Sequence, residues 1–161
     1  MSSAEPRHTV ARLLRRSQAH AGLARALDGF SPELAGRRVE GHPHTAWEQL
    51  EHLRLAAEDL VAYCTDAGYE SLGWPQGYWP TEAEPPSTAA WSRSVERLEA
   101  AVERMASLVE DPARDLYAPV PTAAKPDHHL LRAALILLDH DGYHAAQLIA
   151  LRIALGAWSR D

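Results

Sequence analysis

The chain holds one cysteine, one phenylalanine and one lysine in 161 residues, and no uninterrupted apolar run longer than Ala133 to Leu138. Each shortage excludes something. Cys64 alone can form no intramolecular disulfide, and without a second thiol it cannot found a thiolate zinc site, so any metal must rest on histidine and carboxylate. A bilayer needs roughly 20 apolar residues in a row, so no membrane span is expected. Basic residues are also short: 16 against 22 acids leaves a net charge of −6, the wrong balance for a nucleic-acid surface. With 46% hydrophobic and 24% charged residues, the chain lies near globular averages, which excludes disordered and collagen-like classes. Its length suits one domain over residues 1–161.

The charge is unevenly spread. Residues 1–40 carry seven arginines against four acids, leaving nine basic and 18 acidic residues beyond them. An arginine-rich start (Arg7, Arg12, Arg15, Arg16) resembles a transit peptide only superficially, because Glu5, the helical spacing of apolar residues and the lack of a cleavable apolar segment argue otherwise. A cytoplasmic location is expected. Fifteen of the 16 basic residues are arginine, Lys125 being the exception, as in a GC-rich, bacterial coding sequence.

Apolar spacing predicts four helices. Val10, Leu13, Leu14, Ala21, Ala24 and Leu27 mark the first, running to about Phe30 and closed by Ser31-Pro32. Trp47, Leu50, Leu53, Ala57, Leu60, Val61 and Cys64 mark the second, over about 44–67. The third follows an N-cap at Ser87 and carries Trp91, Val95, Leu98, Val102, Met105 and Val109. The fourth is expected from a cap at Asp127 to about Gly156, with Leu131, Leu135, Leu138, Ile149 and Ile153 on its face. Residues 68–86 contain four prolines and three glycines, which no helix interior or central strand absorbs. No segment shows a sustained period of two, so the expected fold is all-α: a four-helix bundle whose long loop between helices 2 and 3 suits an up-down-down-up order.

The fourth helix carries the most pointed chemistry. His140 and His144 stand at i and i+4 on one face, where both rings can reach one ion. Leu137, Leu148 and Leu151 share that face, which turns the pair inward; the residues then either bind a metal or are two hydrogen-bonded buried histidines. Asp141 occupies the slot of the glutamate in a zinc-protease His-Glu-x-x-His motif, but it is one methylene shorter and too little chain follows for a downstream ligand. A third ligand would come from upstream. His128 and His129 lie at least 11 residues before His140, about 16 Å along a helix, and are expected on the surface; His8, His20, His42 and His44 likewise. His52 shares an arc with Glu48, Leu55, Ala56, Asp59 and Tyr63, which is either a solvated face or the polar wall of a pocket.

The stretches His44-Thr-Ala-Trp47-Glu-Gln-Leu50-Glu-His52-Leu and Leu138-Asp-His140-Asp-Gly-Tyr143-His144-Ala-Ala-Gln147, continuing through Arg152 to Trp158, resemble the DinB/YfiT-like superfamily of metalloenzymes, four-helix bundles with a His triad. Residue by residue, the resemblance implies His52, His140 and His144 as ligands of one divalent ion, zinc or nickel. Ala146 and Gly142 depart from the family's usual residues, and neither removes a ligand. Gln147 either orients an imidazole or is a surface amide; Asp141 is the other candidate for that supporting role. Glu48, Asp59 and Tyr143 are candidates to handle protons.

Three histidines leave a coordination position open, as catalytic rather than structural zinc sites do. Family members include S-transferases that use low-molecular-weight thiols such as bacillithiol, so the resemblance implies a metal-dependent transfer of a small thiol to an electrophile. The alternatives are a metal-dependent hydrolase and a non-enzymatic ligand-binding or interaction bundle. A small-molecule partner is expected, with no nucleic acid and no membrane, and a homodimer would be ordinary for such a bundle. Tyr69, Trp74, Tyr78 and Trp79 in the long loop either cover the pocket or pack against the bundle end.

Overall fold

A computed structural model of the chain describes residues 4–159, and among them the regular structure is helical. In chain order the helices are α1 (Ala4–Arg15), α2 (Leu23–Leu27), α3 (Pro32–Ala35), α4 (Ala46–Thr65), α5 (Thr88–Glu110) and α6 (Leu130–Ala154), with one 3-10 turn at Gln76–Tyr78. The described residues contain no strand, only an isolated antiparallel bridge between Pro119 and His129.

Local capping sets where the long helices begin. Thr45 Oγ1 accepts from the Glu48 amide at 3.2 Å while Glu48 Oε2 accepts from the Thr45 amide at 2.7 Å, a reciprocal capping box that starts α4. Ser87 Oγ accepts from the Ala90 amide at 3.1 Å and starts α5. For α6 the expected cap at Asp127 is corrected: His129 Nδ1 accepts from the Arg132 amide at 3.1 Å. Asp127 is excluded because its neighbourhood is already a turn, with His128 N donating to Lys125 O at 3.0 Å and Val120 N to His128 O at 2.9 Å.

The first predicted helix is two helices. Its stripe skips from Leu14 to Ala21, and the intervening Arg15 to His20 offer no large apolar side chain, so nothing holds that stretch on the core. The chain ends α1 at Arg15, turns through 16–22, and resumes as α2. Gly22, the residue before α2, sits against Ser17, whose hydroxyl would overlap a Cβ at that position. Ser31-Pro32, expected to close a helix, opens α3 instead, with Pro32 in the first turn where its missing N–H costs nothing.

The basic start of the chain has an internal partner. Arg15 pairs with Glu103 at 2.7 Å and Glu110 at 2.8 Å on α5, and Arg7 donates to the carbonyls of Val109 and Asp111 at the end of that helix, at 2.9 and 3.0 Å. Such exposed pairs contribute little stability; they orient α1 while Ala11 and Leu14 supply its buried contact.

α4 packs on α5 and α6, α1 packs on the same two helices, and α5 touches α6. Leu50 and Leu53 of α4, Leu98 and Met105 of α5, and Leu137, Leu148 and Leu151 of α6 are essentially inaccessible; burial of each stabilises by about 1.5–3 kcal/mol before entropy is charged. On α6 the expected stripe is shifted: Leu135 and Ile153 are 47% and 59% exposed. Residues 133–138 are apolar all round, so periodicity could not choose among arcs, and the arc of Leu130, Ala134, Leu137, His144, Leu148 and Leu151 is the buried one. Among the described residues no helix is long and apolar enough to cross a membrane.

Candidate metal centre

Two helices and a loop bring three imidazoles together. His52, two turns into α4, and His140 and His144 of α6 each offer a ligand atom, all within 4.8 Å of one another. His52 Nε2 lies 3.0 Å from His140 Nε2. The α6 pair meets edge to face with ring centroids 4.4 Å apart, and each meets the His52 ring at under 5 Å. His52 and His144 are buried, His140 partly so.

Hydrogen bonding selects the tautomers. The Tyr78 carbonyl, 2.8 Å from His52 Nδ1, can only accept, so that nitrogen carries the proton. Gln49 Nε2 donates to Gln147 Oε1 at 2.7 Å, which turns Gln49 Oε1 towards His144 Nδ1 as an acceptor in a short hydrogen bond. Both rings therefore keep Nε2 as a lone pair. His140 Nε2, 3.0 Å from the His52 lone pair, carries the ring proton and donates it there, while His140 Nδ1 is buried with no partner; binding an ion through Nε2 requires that this proton leave.

The donor set fits a divalent ion. Nitrogens on one tetrahedral zinc stand about 3.3 Å apart, given Zn–N bonds of about 2.0–2.1 Å; the observed 3.0 Å and the 4.8 Å upper bound enclose that value. Burial, reinforced by the neighbouring imidazoles, pushes His140 down to about 4 and His144 down to about 3, and burial also lowers His52. The rings are neutral at pH 7, the form a metal requires. The same three residues are a group able to hold a metal ion.

The loop of residues 68–86 forms the outer wall. Trp79 lies flat on His52, centroids 4.0 Å apart and planes within 4°, and stacks on its other neighbour, His44, at 3.9 Å and 16°. His44, expected to be solvated, is therefore part of this stack. Thr45 Oγ1 donates to Ala83 O at 2.6 Å, and the hydroxyls of Tyr69 and Tyr78 donate to the Asp59 carboxylate at 2.9 and 2.8 Å. Burial, with Asp59 alongside, raises both phenols above their ordinary range. Trp74, in contrast, is 78% exposed and lies outside the wall.

Glu48 spends its carboxylate on the capping box and on Arg38 at 3.1 Å. Asp59 anchors the loop. Tyr143 is largely exposed, its ring nearly perpendicular to that of His144 with centroids 4.9 Å apart. Gln147 reaches His144 through Gln49. Asp141 faces away from the triad into a cavity beside α1, and burial pushes its carboxyl up to about 7. His128 accepts from or donates to Tyr63 Oη at 2.7 Å, and His129 caps α6, so both have structural work away from the triad. Sequence reasoning did not single out Gln49 or the Tyr78 carbonyl; Trp79 it offered only as one of four loop aromatics that either cover the pocket or pack against the bundle end, and the ring lies on His52. Gln49 had a signal: it precedes His52 by three, as Gln147 follows His144 by three.

The profile of the DinB superfamily matches residues 15–148, a span that holds all three histidines. The chain belongs to the DinB superfamily. Comparison with curated proteins and with solved structures returns no match. For a DinB-superfamily chain, a His triad from α4 and α6 that is able to hold a metal ion supports a metal-dependent enzyme at the level of the superfamily.

Proposed function

We propose that His52, His140 and His144 bind one divalent ion, zinc or nickel, and that the protein transfers a low-molecular-weight thiol to an electrophile. The observation that carries the metal assignment is the pair of fixed tautomers: Tyr78 O and Gln49 Oε1 hold the Nδ1 protons of His52 and His144 and leave both Nε2 atoms as lone pairs. The fold reading that goes with it is an up-down-down-up bundle of α1, α4, α5 and α6.

His52, His140 and His144 would hold the divalent ion as neutral ligands, and bound there it would supply the positive charge that lowers the pKa of a thiol. The protein's own part is to aim the imidazoles and to wall the site. Gln49 and Tyr78 O fix two rings, and Trp79 covers the face of His52 against water. Thiol chemistry is favoured over hydrolysis by the state of the nearby carboxylates: Glu48 is in a cap, Asp59 holds two phenols and Asp141 lies elsewhere. A thiol, with an ordinary pKa of about 8.5, ionises without a strong protein base. Its proton passes to solvent while the sulfur forms a new bond to the electrophilic carbon, whose leaving group departs with its electron pair.

The test begins with metal analysis of protein purified without a His tag, where one ion per chain is expected, lost in His52→Ala and in His140→Ala. Bacillithiol, mycothiol or a simpler thiol added to the Co²⁺ form should then produce a sulfur-to-metal charge-transfer band. If no thiol perturbs that spectrum, no thiol conjugate forms and an ester or amide is hydrolysed instead, the transferase reading gives way to the hydrolase one.

A further inference from the structure

Tyr78 meets α4 at both of its ends. Its backbone carbonyl accepts the Nδ1 proton of His52 at 2.8 Å, and its phenol donates to Asp59 Oδ2 at 2.8 Å. His52 and Asp59 are seven residues apart, about 10.5 Å along the helix, so the tyrosine braces two turns of α4. The peptide unit that carries the carbonyl is held from its other side, Trp79 N donating to Gln76 O at 3.3 Å. Tyr69 donates to the same carboxylate at 2.9 Å and makes no bond to His52. Among the described residues, the hydrogen bonds between α4 and residues 68–82 end on Asp59 and His52 alone. Bonds to a carboxylate are stronger than those between neutral groups, so Asp59 is the firm end of the brace.

Which imidazole nitrogen carries the proton is set by the hydrogen bond that the other one makes. An imidazole that loses its Nδ1 acceptor can shift the proton to Nε2, the nitrogen that must be bare to hold an ion. We propose that Asp59 and the Tyr78 phenol are positioning residues for the metal centre: by anchoring the far end of Tyr78 they keep its carbonyl on His52 Nδ1, and so keep His52 Nε2 unprotonated. The effect on metal affinity rests on the metal reading above; the effect on His52 does not. Asp59 reaches His52 only through Tyr78. Its work is therefore to hold an acceptor in place, in contrast to the proton handling that its position on the His52 arc suggested.

The test removes single hydroxyls from the ¹⁵N-labelled full chain. Tyr78→Phe deletes the bond to Asp59 and keeps the carbonyl on His52. Tyr69→Phe is the control, since it deletes a bond to the same carboxylate from a residue that does not reach His52. In metal-free protein the His52 Nδ1–H is expected to exchange with water about tenfold faster in Tyr78→Phe and in Asp59→Ala, and at the wild-type rate in Tyr69→Phe. The His144 Nδ1–H, held by Gln49, should be unchanged in all three, which a general loosening of the fold would not allow. Zn²⁺ affinity, measured by chelator competition, should fall about tenfold in Tyr78→Phe and Asp59→Ala alone. Wild-type His52 exchange or wild-type Zn²⁺ affinity in Tyr78→Phe, or an equal change at His144 or in Tyr69→Phe, would overturn the proposal. Tyr78→Phe decides if Asp59→Ala fails to fold. Exchange is read without metal, so the expected change at His52 in a protein whose wild type binds no Zn²⁺ would refute the metal reading and leave the brace standing.

Discussion

Gln49→Leu isolates the support beneath the triad. Gln49 is 1% exposed and is the residue that joins His144 to Gln147. Leucine has nearly its volume and no acceptor, so His144 Nδ1–H is left buried and unpaired, at a cost of about 1–3 kcal/mol to the folded apo-protein. Partners of this kind are typically worth 10–100-fold in metal affinity, which is about 1.4–2.7 kcal/mol. The expected outcome is thus a metal Kd weaker by that factor, measured by chelator competition, together with a lower urea midpoint of the apo form. Gln49→Glu separates orientation from packing. It retains an acceptor for His144, and as a charge-assisted one, while losing the donor to Gln147 Oε1. It should therefore bind metal at least as tightly as the wild type even where its stability falls. Wild-type affinity in a folded Gln49→Leu variant, or an equal loss in both variants, would refute the assignment of Gln49 to His144.

Apo-protein stability should fall with acid: histidines titrate at about 6.5 when unfolded but at about 4 and 3 for His140 and His144 in the fold. The unfolded chain then binds more protons as pH drops below about 6.5, so the urea midpoint declines from there and levels off below about 3; a flat profile between pH 7 and 5 would contradict the burial of these rings. Thr45→Ala removes both the cap on Glu48 N and the bond to Ala83 O, and a loss of about 1–3 kcal/mol in denaturant unfolding is expected. His128→Ala removes the bond to Tyr63 and should cost about 1 kcal/mol while metal content, measured by mass spectrometry, stays unchanged.

Much of the helical framework was legible because it is local. Ser87 acts within one turn of its own helix, and the stripe from Trp91 to Val109 has a single period; such interactions need no knowledge of the rest of the chain. The pairing of His140 with His144 is of the same kind, since four residues of helix bring two side chains onto one face. Burial is a different matter. On α6, where residues 133–138 are apolar in every direction, only packing against α1, α4 and α5 decided that Leu137 and Leu148 go inside while Leu135 and Ile153 stay out. Contact across 88 residues between His52 and His140, the Gln49 and Gln147 amides meeting over 98, and Trp79 seated between His44 and His52 depend on how helices and loop dock. Those docking interactions are non-local, and the break at 16–22, which opens the cavity around Asp141, follows from the same cause: a segment without apolar side chains leaves the core, and only the three-dimensional arrangement determines what space it leaves behind.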